Sequence, residues 1–505
     1  MKTPLLSLLG LFAPLAIAAA AQPALTIYNQ NFAVVRDSIS LDLKQGENSV
    51  VYDGATMQVE PDSVILRDPA GNPLQILEQS YRNDPLSQAL LLSLFEGQEI
   101  DFYIGEISKP DRIVRGKIIR SGYVAHNSLA MRRYGNQYAM TQMAMSSASG
   151  AGEPIIQVDG KIQFGLPGRP VFPSLGDDTI LKPRLSWVIN APKPLKTEAE
   201  LGYITRGMTW EASYNVVAPE KGNDLDIVGW VTMDNQTGRD FADARIKLMA
   251  GDVNKLDPNQ MQVGDRLRAA GYAMAFETPA PQVTEKAFDE YHLYSLERPV
   301  TLHDRETKQV EFIRASGVKS EVIYVYDGAV IDWNRWRSYN RVSLRQNEEF
   351  GSDSNSKVSV MREFKNTKEN GLGIPLPKGN VRFYRADGKQ LEFTGENQID
   401  HTPKDETVRI YTGDAFDLVG ERKRTNFKVD TSNKWADESF EITVRNRKTE
   451  PVTIRVVEHL LRWNNWEITD KNTTYKKLNS DEIEFLVELK PDEERKITYT
   501  VHYSW

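Results

Sequence analysis

The chain has 505 residues, a formal net charge of −8, 40 % hydrophobic and 26 % charged residues, with 33 Gly and 25 Pro. This usage excludes a collagen-like or low-complexity chain, and the length suffices for roughly two to four domains with cores of their own. The mild acidity and the lack of a long basic block argue against a nucleic-acid partner, and the absence of cysteine excludes disulfides, thiol nucleophiles and thiolate metal sites.

Lys2 is the only charged residue before Arg36. The apolar run 5–17, broken by Gly10 and Pro14, is followed by Ala19-Ala20-Ala21. That is the layout of a secretory signal peptide over residues 1–21, with a mature chain expected to start near Gln22. The run is too short to span a bilayer, and no later window supplies a transmembrane helix. Export to the periplasm or extracellular space is therefore expected.

Period-two alternation dominates the remainder of the chain. Leu25, Ile27 and Tyr28 open a strand that Phe32, Val34 and Val35 continue; Ile39, Leu41 and Leu43 alternate with Ser40, Asp42 and Lys44. Two short runs, 50–52 and 64–66, read as further strands. Asp84-Pro85 has the chemistry of a helix start, with Leu86, Ala89, Leu90 and Leu94 on one face. Residues 128–152 mix Met131, Met140, Met143 and Met145 with Ser and Gly, which suits a flexible loop and equally an adaptable contact surface. Residues 254–286 and 338–357 are also loop-like.

A weak internal echo recurs in the second half. Strands beginning at Val228, Val358 and Phe440 end at Asn235, Asn366 and Asn446, each followed by a polar turn. Asparagine suits such a corner because its side chain bonds local backbone. The expected fold class is all-β, mainly β-sandwich modules with a few short helices and long loops. The expected organisation is an N-terminal β-rich domain over 22–195 and a C-terminal sandwich-type region over 196–505, which can divide into two modules near 345. Arg422-Lys423-Arg424 reads as a solvated turn. At the end of the chain, Ile497, Tyr499, Val501, Tyr503 and Trp505 alternate with polar residues, as a strand with one buried face requires.

The usual catalytic signatures are missing. There is no His-Glu-x-x-His, no phosphate-binding or dinucleotide glycine loop and no Gly-x-Ser-x-Gly elbow, and the six histidines are scattered. No metal site, cofactor or catalytic residue is expected. Trp333-Asn334-Arg335-Trp336 and Trp463-Asn464-Asn465-Trp466 share a spacing. Flat rings beside hydrogen-bonding groups suit a sugar- or peptide-binding platform, and equally a plug in a sandwich end. Trp333, Trp336, Trp463 and Trp466 are the candidate binding residues. Trp187, Trp210 and Trp230, within strands, are expected in the core.

Several segments together resemble a bacterial exported family with domain of unknown function 4139, related to mucoidy inhibitor A-like proteins. They are residues 25–36, 203–210 with Tyr214, 250–254, 307–310, 375–379 with Val381 and Tyr384, and 414–417. Arg206 stands where a small residue is expected from the resemblance, which puts a tight turn in question. The resemblance implies a β-rich exported protein and supplies no catalytic residues. The leading expectation is a non-enzymatic envelope protein that binds or scaffolds a glycan or protein partner. The alternatives are a secreted hydrolase with a site assembled between β domains, and an outer-membrane β-barrel.

Overall fold

A computed structural model of the protein describes residues 22–84, 86–105, 112–123, 153–175, 179–251, 253, 255, 283–288 and 291–505. The expected signal segment 1–21, the stretch 128–152 and most of 254–286 lie outside the described residues. The protein is all-β, with several separate sheets and few, short helices. It divides into two compact units, each assembled from non-contiguous stretches. The first takes residues 1–210, 233–280 and 286–308, the second 211–232, 281–285 and 309–505.

In the first unit a large sheet runs in the order Tyr291–Leu296, Phe241–Ala250, Ala24–Tyr28, Phe32–Leu43, Leu195–Arg206 and Ile65–Arg67. The opening alternation is a hairpin rather than one continued strand. The chain reverses at Asn31, whose φ of 58° is tolerable for asparagine. Phe32–Leu43 then pairs without a break along Leu195–Arg206, from Phe32 opposite Arg206 to Leu43 opposite Leu195. Leu41, Leu43, Ala199, Leu201 and Tyr203 are buried. Arg206 does not disturb the next turn, because Gly207 carries it. Gly207 has φ +80°, and a Cβ there would sit 2.8 Å from the Gln236 carbonyl oxygen. Arg206 instead pairs with Glu60 at 3.3 Å.

A smaller five-stranded sheet holds Glu99–Ile104, Arg112–Arg120 and Ile155–Val158 under the helix Gln88–Leu94. Ser87 caps that helix by accepting from the Leu90 amide at 3.1 Å, so it starts three residues later than Asp84 suggests. Leu91 and Leu92 reach the core formed with Phe102, Ile118 and Ile156.

The second unit contains two sheets. In the first, residues 212–218 of the strand Met208–Ala218 pair in parallel with Gly379–Asp387, the backbones approaching so closely that a Cβ on Gly379 would lie 2.3 Å from the Ala212 carbonyl oxygen. Tyr214 donates to the Pro377 carbonyl at 2.6 Å, and its ring lines an apolar crevice with Ile227, Phe364, Leu376 and Ile410.

The other sheet has nine strands, in the order Trp466–Lys471, Glu494–Ser504, Trp435–Asn446, Thr407–Asp430, Lys357–Lys365, Ser320–Asp327, Val452–His459, Glu482–Leu489 and Tyr475–Lys477. Its two edge strands are neighbours in sequence, joined by residues 472–474. The sheet therefore curls back on itself. The Trp466 indole N–H donates to the Ser480 carbonyl at 2.8 Å, and the Lys477 ammonium lies 4.4 Å over the Trp466 ring. This wrapping protects edges that would otherwise be open to other chains. The interior is filled by Ile442, Val444, Ile454, Val456, Phe485, Ile497 and Val501, each contributing about 1.5–3 kcal/mol by its burial. The outer face carries ion pairs from Lys496 to Glu441 (3.2 Å) and from Arg445 to Glu421 and Glu494 (both 2.7 Å).

The three echoed asparagines are fully buried and do the same work. The Asn235 amide donates to the Arg239 and His303 carbonyls, both at 2.9 Å. Asn366 donates to Ile374 (2.7 Å) and Pro403 (2.9 Å), and Asn446 to Glu450 (2.9 Å) and Lys490 (3.0 Å). Each side-chain oxygen accepts a backbone N–H of its own turn, from Thr237, Gly373 and Lys448. The facing turns all contain a left-handed residue: Arg305, Asp405 and Asp492. Trp187 and Trp210 are in the core, whereas Trp230 is half-buried.

Candidate functional site

Between Ser320–Asp327 and Lys357–Lys365 the chain makes an excursion through two short helices, Trp333–Trp336 and Arg341–Gln346. The Asp332 carboxylate caps the first, accepting from the Asn334 amide at 3.0 Å. The Asn340 side chain caps the second, accepting from the Ser343 amide at 2.9 Å. Helices of this length are unstable alone, so tertiary contacts must hold them.

Two buried arginines supply those contacts, Arg422 from strand Thr407–Asp430 and Arg462 from the connection between Val452–His459 and Trp466–Lys471. Arg462 donates to the carbonyls of Leu344 (3.0 Å), Arg345 (3.2 Å), Asn347 (2.8 Å) and Phe350 (2.8 Å), and to the Glu438 carboxylate (2.8 Å). Arg422 donates to the Gly351 carbonyl at 2.8 Å and to Glu458 at 2.9 Å, and the Tyr499 hydroxyl donates to the same carboxylate at 2.5 Å. Arg424 approaches Glu438 at 3.4 Å. The run 422–424 is thus not a solvated turn. It lies within Thr407–Asp430, where alternation sends Arg422 and Arg424 inward and leaves Lys423 exposed. Burial by itself would lower the Arg422 pKa; the Glu458 charge beside it overrides that and raises it. Burial first, and the Glu458 charge second, push the Tyr499 phenol well above its ordinary range.

The two Trp-Asn-x-Trp motifs meet around this clamp. Trp336 is buried, its ring edge-on to Phe350 at 5.5 Å and Tyr339 at 5.1 Å. Trp333 stands outside it at 62 % exposure, 6.5 Å from Phe350. Trp463 is half-buried beneath the Arg345 guanidinium, 4.1 Å from its ring centroid. Trp466 turns away, to Lys477 and Ser480. The open surface of the cluster is therefore Trp333 and Tyr339 (45 % exposed) with the exposed Arg337 and Arg341. Arg345, Arg462 and Phe350 escaped the sequence reading, which placed Trp505 only in the terminal alternation. Residues 333–347 nevertheless hold four arginines and no acidic residue in a chain of net charge −8, a local signal that was present.

His459 sits at another point of the nine-stranded sheet, between Asp327 (3.0 Å) and Glu482 (3.2 Å). The hydrogen bond to Asp327 is the main reason its pKa lies above the ordinary value. A raised folded-state pKa means that the stabilisation is complete below the unfolded-state pKa and is lost as pH rises through the folded value. Between about pH 6 and about pH 8, the wild type is expected to lose more Tm than His459→Gln does. Parallel thermal melts check this, and equal slopes would refute it.

The first unit has its own buried polar set. Arg239 donates to Asp37 at 2.6 Å and to the Tyr203 hydroxyl at 3.2 Å, and the Tyr52 hydroxyl donates to Asp37 at 2.6 Å. Desolvation, above all, pushes the Tyr203 phenol up to about 12. Each member is satisfied by another, as a structural fastener requires. Among the described residues no group of three or more His, Asp or Glu side chains is placed to hold a metal. No helix among them is long and apolar enough to cross a membrane.

The family described as Domain of unknown function (DUF4139) matches residues 199–505. No curated protein matches the chain.

Proposed function

We propose that this chain, which belongs to the DUF4139 family, is an exported bacterial envelope protein whose second unit binds a glycan without chemically transforming it. The observation that carries the proposal is the exposed Trp333 indole on an excursion clamped by four hydrogen bonds from Arg462, whose guanidinium is itself held by Glu438. At 62 % exposure the ring is accessible to a partner. Carried on an excursion that also exposes Tyr339 and Arg337, it offers a flat apolar face for a pyranose ring, with hydrogen-bond donors on the same excursion. The signal-peptide pattern of residues 1–21 supports an envelope location. The likeness to mucoidy inhibitor A-like proteins points toward extracellular polysaccharide by association only.

The mature chain is expected to be retained on immobilised envelope polysaccharide, and Trp333→Ala to weaken retention by about tenfold or more, the cost of removing a central aromatic contact. A wild-type chain that flows through, or a Trp333→Ala variant that binds as well, would remove the basis for the proposal. Cell fractionation with N-terminal sequencing tests the location; retention in the cytoplasm with Met1 intact would contradict it.

A further inference from the structure

Arg345 differs from the arginines around it. Arg422 and Arg462 end on carboxylates and carbonyl oxygens. The Arg345 guanidinium packs against two indoles, 4.1 Å from the Trp463 ring centroid and 4.9 Å from that of Trp505. The residue is 9 % exposed. Its Nε, like that of Arg462, is buried with no hydrogen-bond partner. Among the described residues no carboxylate pairs with Arg345, and nothing accepts from its side chain. Ring faces attract the charge, but they do not satisfy N–H groups that lie in the guanidinium plane. A buried cation with unfilled in-plane donors is costly, and the group that fits such a planar fork is a carboxylate.

The surroundings favour an anion. Within residues 333–347 stand Arg335, Arg337, Arg341 and Arg345 and no acidic residue. Arg335 is engaged by Glu349 and Asp353, while Arg337 and Arg341 are exposed. The polar neighbours Asn334 and Ser338 are exposed too, which suits a hydroxyl-rich chain better than insertion into lipid. We propose that the in-plane edge of Arg345, packed against Trp463 and Trp505, binds the carboxylate of an acidic sugar, so that the glycan recognised here carries uronic acid residues. This rests on the glycan-binding function proposed above and adds the substrate class.

The test is calorimetric titration of the mature chain with oligogalacturonate and with the same oligosaccharide after carboxyl reduction, alongside NMR of the Arg345 Nε–H. In the wild type, the acidic ligand is expected to bind about tenfold or more tightly than its reduced form, as the loss of charge-assisted hydrogen bonds implies, and to shift the Arg345 Nε–H resonance. Arg345→Gln should abolish the preference for the acidic ligand while leaving affinity for the reduced one. Arg345→Lys, which keeps the charge without the fork, should retain only part of it. Trp333→Ala should weaken both ligands. Equal binding of the two ligands by the wild type, or an Nε–H resonance that does not move at saturation, would overturn the carboxylate site and leave glycan binding standing. Failure of both oligosaccharides, with or without binding of anionic phosphatidylglycerol vesicles, would overturn both proposals. Should Arg345→Gln not fold, the wild-type resonance and the Arg345→Lys comparison decide.

Discussion

Arg422→Ala is expected to destabilise the second unit by about 3–5 kcal/mol, because it leaves a buried carboxylate without its cation. Glu458 is fully buried, and Arg422 reaches it at 2.9 Å. Only the Tyr499 hydroxyl, at 2.5 Å, would remain to stabilise the charge, and the Gly351 carbonyl would lose its bond from Arg422. The Phe440 ring, over which the guanidinium lies at 4.0 Å, would border a void. Urea unfolding followed by tryptophan fluorescence suits the measurement, since Trp333, Trp336, Trp435, Trp463, Trp466 and Trp505 all belong to this unit. Lys423→Ala, one residue along and exposed, is the control and should cost under about 0.5 kcal/mol. Arg422→Met combined with Glu458→Leu should recover much of the loss, because an apolar pair of similar volume carries no desolvation penalty. Equal midpoints for Arg422→Ala and Lys423→Ala would refute the expectation. The clamp adds a second consequence: Arg422 also fixes the excursion that carries Trp333, so glycan affinity should fall with stability in Arg422→Ala.

How far such features could be read from sequence depends on the type of residue. The final strand was legible because Ile497, Tyr499, Val501 and Tyr503 are apolar on one parity and all are buried. The asparagine corners were legible because an unusual residue closes three alternating runs, and all three prove buried. The arginine clamp was not, since a hydrophobic–polar reading sends every charge outward. Yet Leu418, Gly420, Arg422 and Arg424 share one parity of a single strand, so the same period-two rule would have placed Arg422 inside had charge not overridden it. The tryptophan motifs show the opposite limit. Their identical spacing falls on a helical turn at 333–336 and on the approach to a strand at 463–466, so equal sequence gives unequal geometry. Pairings such as Phe32 with Arg206 join positions too distant for any local pattern to indicate.

Asn446→Ala is expected to cost about 2–4 kcal/mol, from buried backbone groups that lose their partners. The side chain gives hydrogen bonds to the Glu450 carbonyl at 2.9 Å and the Lys490 carbonyl at 3.0 Å, and receives one from the Lys448 amide at 2.9 Å. Alanine removes all three where water does not reach, and the corner that ties two strand connections together loses its bridge. Asn446→Asp separates the hydrogen-bond account from simple loss of volume. The ionised carboxylate can still accept from Lys448, but it would face the two carbonyl oxygens without a proton to offer, so near neutral pH it should be at least as harmful as alanine. Those oxygens and burial both disfavour the charged form, so the folded-state pKa of the introduced carboxyl should lie above its unfolded value. Relative to Asn446→Ala, the aspartate variant should therefore gain stability as pH falls through that raised pKa, because a protonated carboxyl can donate to one of the two carbonyls. Chemical denaturation of both variants across the acid range measures the difference, and a gap that does not change with pH would contradict the bridging role. Because Asn235 makes the same set of bonds in the first unit, Asn235→Ala should reproduce the cost there, which makes the repeated corner a common structural device rather than a local accident of one turn.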